Sequence, residues 1–344
     1  MSGGFLYDRK LADYLRKAGD DLHLIPFPWR NYLQHLLYNL SANTIRRVKE
    51  LKLDLLLEDE LNYASLIIIN RALKSIKHCP ILSIVHHLCK YESNGTGYKF
   101  RHRVEKTYLH GIDGFIFNSR TTAASVNEIA PDKPAVIAYP GKDRFVSEIT
   151  EQEIAARAKN DGPLHVMFLG NIIPRKGLTA LIRSLKPLPR ATWRLTVIGS
   201  MDRNCAYTRS VLKLVRTYGL EKNLTFTGQI PDAEVTGYLR SGHVLAVPSH
   251  HEGYGIAYVE AMGFGLPVIG TNAGGAREII EHDVNGFLIK PEDIPTLTGY
   301  LRRLAANRDI LSQMSNSALK KYQDFPTWRE TCGKIRDFLC TMVN

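Results

Sequence analysis

Cysteine is scarce in this chain of 344 residues. The five present (Cys79, Cys89, Cys205, Cys332 and Cys340) are an odd number with no C-x-x-C spacing, which excludes a disulfide framework and a zinc cage. Long apolar runs are lacking too: the longest, around Leu66–Ile69 and Ile81–Val85, fall well short of the ~20 residues that a membrane span needs. With no secretory pattern at the N-terminus, the chain is expected to be soluble and cytoplasmic, and the N-x-S/T triplets opened by Asn39, Asn94 and Asn223 are read as chance. No short-period repeat or low-complexity stretch occurs, which excludes solenoids and propellers. No D-x-D triplet is present either; Glu58-Asp59-Glu60 is the dense acidic cluster, read as a solvated or packing feature.

What is present is globular: 44% of residues are hydrophobic and 23% charged, and at roughly 150 residues per domain the length points to two domains. The net charge of +11 favours an anionic partner. It is spread evenly, +5 over residues 1–150 and +6 over the remainder, without the stripe, tail or finger that would point to nucleic acid.

Short aliphatic and β-branched runs alternate with longer amphipathic ones, as in α/β units with parallel sheets. In the first half strands are expected at Leu22–Phe27, Leu53–Glu58, Ile81–His86, Gly114–Asn118 and Ala135–Tyr139. A helix is expected near Phe5–Ala18, with Leu6, Leu11 and Leu15 on one face. In the second half strands are expected at Leu164–Gly170, Arg194–Gly199, Leu224–Gly228, Val244–Pro248, Pro267–Gly270 and Phe287–Ile289. The polar stretch Gly141–Gly162 between the halves reads as a linker with one short helix. The expected division is therefore a domain at 1–150, a second at 151–325, and a final helix over 326–344 carrying Trp328, Ile335, Phe338 and Leu339.

Three stretches carry chemistry. After the run Val244–Pro248 comes His250-His251-Glu252-Gly253-Tyr254-Gly255-Ile256, then Glu260. A strand leading through Gly-x-Gly into a helix frees backbone N–H groups for a phosphate or sugar oxygen. With a helix start near Tyr254, Glu260 falls in its second turn and Glu252 in the loop before it, so both can face one ligand. Next, Gly274-Gly275 opens a turn into a helix expected at Ala276–Glu281. Third, Gly170-Asn171-Ile172-Ile173-Pro174-Arg175-Lys176-Gly177 puts two cations at a strand's C-terminal end, where open parallel sheets bind ligands.

Together with an early Gly3-Gly4, these stretches resemble the family-4 retaining glycosyltransferases of GT-B fold, the glycosyl transferases group 1. The resemblance implies two Rossmann-like domains facing each other across a cleft, with the C-terminal helix crossing back to the first. It further implies that Glu252 and the amides of Gly253, Tyr254, Gly255 and Ile256 hold the donor sugar, and that Glu260 takes the ribose hydroxyls. Arg175 and Lys176, with Gly170 and Asn171, would hold the diphosphate, Gln229-Ile230 would lie against the base, and Gly3-Gly4 would close over the diphosphate. His86, ending a strand of the first half, would sit close to the reacting sugar carbon, with His87 pointing to the opposite side. Asn118-Ser119-Arg120-Thr121 and Tyr139–Phe145 match the layout and read as structural. Two departures stand out. Asn171 replaces the family's usual Arg, with Arg175 as its substitute, and the strand that the family carries before its Gly-Gly loop is missing ahead of Gly3.

The implied reaction moves a hexosyl group from a nucleotide-diphosphate sugar to a hydroxyl acceptor with retention. It uses no metal and no cofactor, and a UDP-sugar is favoured over a GDP-sugar as donor. A non-catalytic nucleotide-sugar-binding protein of the same fold is the alternative. Trp29–Tyr38 and Thr44–Lys49 mix aromatic, aliphatic and basic residues; they suit either an ordinary packed helix or peripheral seating on the anionic inner face of a membrane, and the acceptor is lipid-linked or a soluble sugar.

Overall fold

A computed structural model of the chain describes residues 3–27, 31–76, 79–91, 97–160 and 162–343. It divides into two compact units: Gly4–Pro140 with Arg329–Asn344, and Met1–Gly3 with Gly141–Trp328.

The first unit is built on four parallel strands, β1 (Leu56–Asp59), β2 (Ile81–Val85), β3 (Gly114–Phe117) and β4 (Ala135–Ile137), in that spatial order. Every residue of β2 and β3 is buried, as central strands of a parallel sheet covered on both faces must be. The helix Gly3–Lys17 buries Leu6, Tyr7, Leu11 and Leu15, and the Tyr7 hydroxyl donates to the Ala138 carbonyl at 2.8 Å. The C-terminal helix Trp328–Val343 joins this unit: Ile335 is buried, Thr331 donates to the Tyr139 carbonyl at 2.7 Å, and Arg336 forks onto Asp20 at 2.8 and 2.9 Å.

One expected strand does not form. Leu22–Phe27 is irregular, with Leu24 exposed while Ile25 and Phe27 pack inward. Pro26 has no N–H to give a ladder, so alternation of apolar side chains here serves packing and not pairing.

The acidic run is a packing feature, not a solvated one. Glu58 is buried and accepts from Asn70 Nδ2 at 3.0 Å; burial pushes its carboxyl up to about 7 despite that bond. A carboxyl raised in the folded state costs stability as pH climbs from its unfolded range near 4.5 through 7. Glu58→Gln is therefore expected to stabilise this unit by about 2 kcal/mol more at pH 8 than at pH 5. Equal melting shifts at the two pH values would contradict this.

The second unit carries six parallel strands: β5 (Leu164–Leu169), β6 (Trp193–Ile198), β7 (Leu224–Gly228), β8 (Val244–Val247), β9 (Val268–Thr271) and β10 (Gly286–Ile289). Their order is β10-β9-β8-β5-β6-β7. The chain steps outward from β5 to β7, then returns to β5's other side as β8, which makes the β5/β8 pair a topological switch point. The helix Glu151–Lys159 belongs here, burying Ile154 and Ala158 and packing on the helix Arg308–Gln323. The helix expected at Ala276–Glu281 is only a 3₁₀ turn, Gly275–Glu278: beyond it Ile279 and Ile280 turn into the core, and His282 bridges to Gly286. Among the described residues no helix is long and apolar enough to cross a membrane.

Candidate active site

The ends of β5 and β8 bring two of the three stretches together. After β5 the chain passes Gly170 into the 3₁₀ turn Pro174–Lys176; after β8 it passes Ser249 and reaches Glu252. Gly177 lets the first turn close, because at φ +69° a Cβ would lie 2.0 Å from the Pro248 carbonyl oxygen. Lys176 Nζ then donates to Glu252 Oε1 at 2.6 Å, and Ser249 Oγ donates to the same oxygen at 2.5 Å. Arg175 Nη1 lies 3.7 Å from Glu252 Oε2 and donates to the His251 carbonyl at 2.9 Å. Burial alone would raise the Glu252 carboxyl, but the charges of Lys176 and Arg175 and the bonds from Lys176 and Ser249 hold it down at about 2. The result is a buried carboxylate clamped by two partly exposed cations at the β5/β8 switch point.

The loop Gly253–Gly255 runs into the helix Ile256–Met262 through Gly255 at φ +111°. Tyr254 is buried, and Tyr258 anchors the helix by donating to the Val247 carbonyl at 2.8 Å. Gly275 N–H donates to the Glu252 carbonyl at 2.8 Å, so the Gly274-Gly275 turn braces the glutamate loop from β9's end. Asn171 follows Gly170 with its side chain half-buried, and Ile230 lies half-buried between β7 and the helix Asp232–Ser241.

Glu260, 4% exposed, receives Arg144 Nη1 at 3.0 Å, while the same guanidinium forks onto Asp232 at 2.8 and 3.2 Å. Burial raises the Glu260 carboxyl, opposed by Arg144. Arg144 lay in a turn read from sequence as structural. The signal that would have found it is physical: a buried helix carboxylate demands a cation, and Lys142 and Arg144 are the basic residues of that turn. Arg144→Met is expected to cost about 3 kcal/mol of stability, with most of it recovered in Arg144→Met/Glu260→Gln. Thermal unfolding of the two variants checks this; additive losses would contradict it.

In the first unit, Gly3 and Gly4 form the opening turn of the helix Gly3–Lys17 and not a loop. A Cβ on Gly4 would sit 3.1 Å from the His86 ring. His86 follows β2, 6% exposed, with its N–H on Glu60 Oε2 at 3.1 Å and its carbonyl accepting from Asn118 Nδ2 at 2.9 Å. His87 N–H reaches the same Glu60 oxygen at 3.4 Å, and the His87 ring is more exposed. A groove of about 740 Å³ lined by Arg157, His165, Arg194, Lys222 and His243 opens at the N-terminal ends of β5, β6 and β8, the opposite sheet edge from Glu252.

A sequence model described as Glycosyl transferases group 1 matches residues 149–321, half of the chain. The chain belongs to that family. It is 26% identical over 276 residues to the D-inositol 3-phosphate glycosyltransferase of Saccharomonospora viridis, covering 75% of this chain and 64% of that one. Against the curated relatives it matches, the chain spans about half of their length. Among solved structures it is similar to a sucrose-phosphate synthase of Thermosynechococcus elongatus (TM-score 0.83, 20% identity, 99% and 94% of the two chains). It is also similar to Anabaena HepE in complex with UDP-glucose (TM-score 0.78, 20% identity, 99% and 96%). The fold is that of the GT-B glycosyltransferases, with two parallel sheets and a C-terminal helix that belongs to the first unit.

Proposed function

We propose that this glycosyltransferase moves a hexosyl group from a nucleotide-diphosphate sugar to a hydroxyl acceptor with retention of configuration, by attack on the face the diphosphate leaves. The observation that carries the reading is the convergence of Arg175, Lys176 and Glu252 at the β5/β8 switch point. As the bond from the anomeric carbon to the phosphate oxygen breaks, its electron pair goes to that oxygen; the acceptor oxygen bonds on the same face and passes its proton to the leaving phosphate. Charge thus builds where two fixed cations wait, so little reorganisation is needed and no divalent ion is called for. Glu252 holds the donor-sugar hydroxyls and Glu260 the ribose, each in reach of its own cation. Both carboxylates are engaged by those cations, which disfavours either as a covalent nucleophile. The family resemblance assigns His86 to the donor sugar, Gly3-Gly4 to the diphosphate and Ile230 to the base, and those roles are kept.

UDP is the favoured nucleotide, supported by the similarity to HepE, solved with UDP-glucose. GDP is the rival arm, since a Mycobacterium tuberculosis relative, 27% identical over 183 residues, is named a GDP-mannose-dependent mannosyltransferase. Incubation with donor alone, followed by intact mass spectrometry, tests the mechanism: no covalent glycosyl adduct is expected, and an adduct on a carboxylate would overturn front-face attack.

Peripheral contact with an anionic bilayer is supported by Leu33, Leu37 and Leu40, at 71%, 67% and 70% exposed on and after the helix Tyr32–Tyr38, beside Arg46, Arg47 and Lys49 of the helix Ala42–Glu50. Trp29 and Arg30 of the same segment lie outside the described residues. Flotation with phosphatidylglycerol vesicles is expected to recover the chain, and Leu33→Ser/Leu37→Ser to reduce that recovery; equal recovery with neutral vesicles would contradict this.

A further inference from the structure

At the C-terminal end of the first sheet, His86 is held between two carboxylates that come from separate elements. Its Nε2 lies 3.1 Å from Asp8 Oδ1, on the helix Gly3–Lys17, and 4.0 Å from Asp59 Oδ1, at the end of β1. The Tyr7 ring meets the imidazole edge-on, centroids 5.5 Å apart, and Gly4 leaves the space that the ring fills. The backbone on either side of the ring is pinned by Glu60 and Asn118. Residues from four places in the chain thus hold one ring and its backbone, and both carboxylates face the same nitrogen, Asp8 within hydrogen-bond distance and Asp59 as a more distant charge. Asp8 breaks a stripe at positions 4, 8, 11 and 15 that is otherwise glycine and leucine, so a polar residue stands where helix packing asks for an apolar one.

We propose that Asp8 and Asp59 are positioning residues for His86, keeping its ring in one orientation with Nε2–H committed to Asp8, so that Nδ1 is the nitrogen left to donate to a hydroxyl of the donor sugar. The inference rests on the reading that His86 stands at that sugar. Donation from Nδ1 while Nε2–H is bound requires the doubly protonated ring. The surroundings favour that form: burial works against it, but the Asp8 charge and hydrogen bond, with the Asp59 charge, raise the imidazole's pKa overall. The titratable groups facing the ring are Asp8 and Tyr7 from the helix, Asp59 from β1, and Glu60 from the turn after it. Burial raises the Asp59 carboxyl to about 6, opposed by the charge of His86, so at neutral pH the carboxylates facing the ring offset its charge. A protonated His86 therefore does not oppose the positive charge that builds on the sugar in the transition state.

Proton NMR titration of the His86 C2–H resonance, assigned by its loss in His86→Gln, reads the pairing without any turnover. Asp8→Asn is expected to lower the titration midpoint by about one pH unit. In transfer assays the same variant is expected to lose about 10- to 100-fold in kcat with little change in donor KM, the alkaline limb of its pH profile moving down with the midpoint, and Asp8→Glu restoring part of the rate. Asp59→Asn is expected to act in the same direction to a smaller extent, and it keeps the test standing if Asp8→Asn melts below the assay temperature. An unmoved midpoint in both variants overturns the proposal, as does a rate lost without any change in pH profile. If the wild type turns over no nucleotide sugar while the midpoint falls, the donor reading fails and the gripped ring stands.

Discussion

Lys176→Ala is expected to lower kcat for transfer by about 100- to 1,000-fold, or ~3–4 kcal/mol of transition-state stabilisation. Lys176 is 18% exposed at its side chain, bonded to a buried carboxylate, and set at the switch point beside Arg175. Its charge is in place before the leaving phosphate forms, so the loss falls on the chemical step more than on donor KM. A second signature follows from Glu252. Because its folded carboxyl is depressed to about 2 from 4.5, it contributes stability at neutral pH that is lost as pH falls through that window. Without Lys176 the carboxyl moves up and that contribution shrinks, so the variant loses more stability at pH 7 than at pH 3. Single-turnover rates and melting at the two pH values check both parts; a kcat within threefold of wild type would contradict the assignment.

Gly274→Ala is expected to cost about 3 kcal/mol, a drop in melting temperature of roughly 6–12 °C. Gly274 sits at φ +90°, and a Cβ there would lie 2.0 Å from the Glu252 carbonyl oxygen and 2.9 Å from the His251 ring. That carbonyl already accepts from Gly275 N–H, so relief requires the glutamate loop itself to move. Donor-induced stabilisation should fall with it. Gly299→Ala, in the helix Ile294–Ala306 with nothing within 4 Å of its Cβ, is the control and is expected to stabilise by up to about 1 kcal/mol. Equal behaviour of the two alanines would show that the close approach carries no energy.

Much of this arrangement was legible in the sequence because local chemistry and local structure agree there. A glycine-rich turn must follow a strand to bring backbone near a phosphate, and the runs ending at Leu169 and Val247 are too apolar and too short to be anything but buried strands. What stayed hidden is what depends on distant pairing. That β8 returns beside β5, which alone brings Lys176 to Glu252, is a matter of sheet order that no local pattern encodes. Asp8 carries no sequence signal, Asp59 reads as one member of a solvated or packing cluster, and Arg144 reads as part of a structural turn, because polar residues on exposed-looking segments are ordinarily solvated; burial changes their meaning, and burial is set by the whole fold. Leu22–Phe27 misled for the converse reason, since its alternation satisfies packing under a helix layer and not a ladder.

The central claim is that the β5/β8 cluster is a nucleotide-diphosphate site, and a thermal-shift panel of UDP, GDP, ADP and their common sugars tests it most directly, run on wild type, Lys176→Ala and Glu260→Ala. The expected result is a rise in melting temperature with uridine nucleotides that both substitutions abolish. No rise with any nucleotide on folded wild-type protein, or a rise that survives both substitutions, would contradict it.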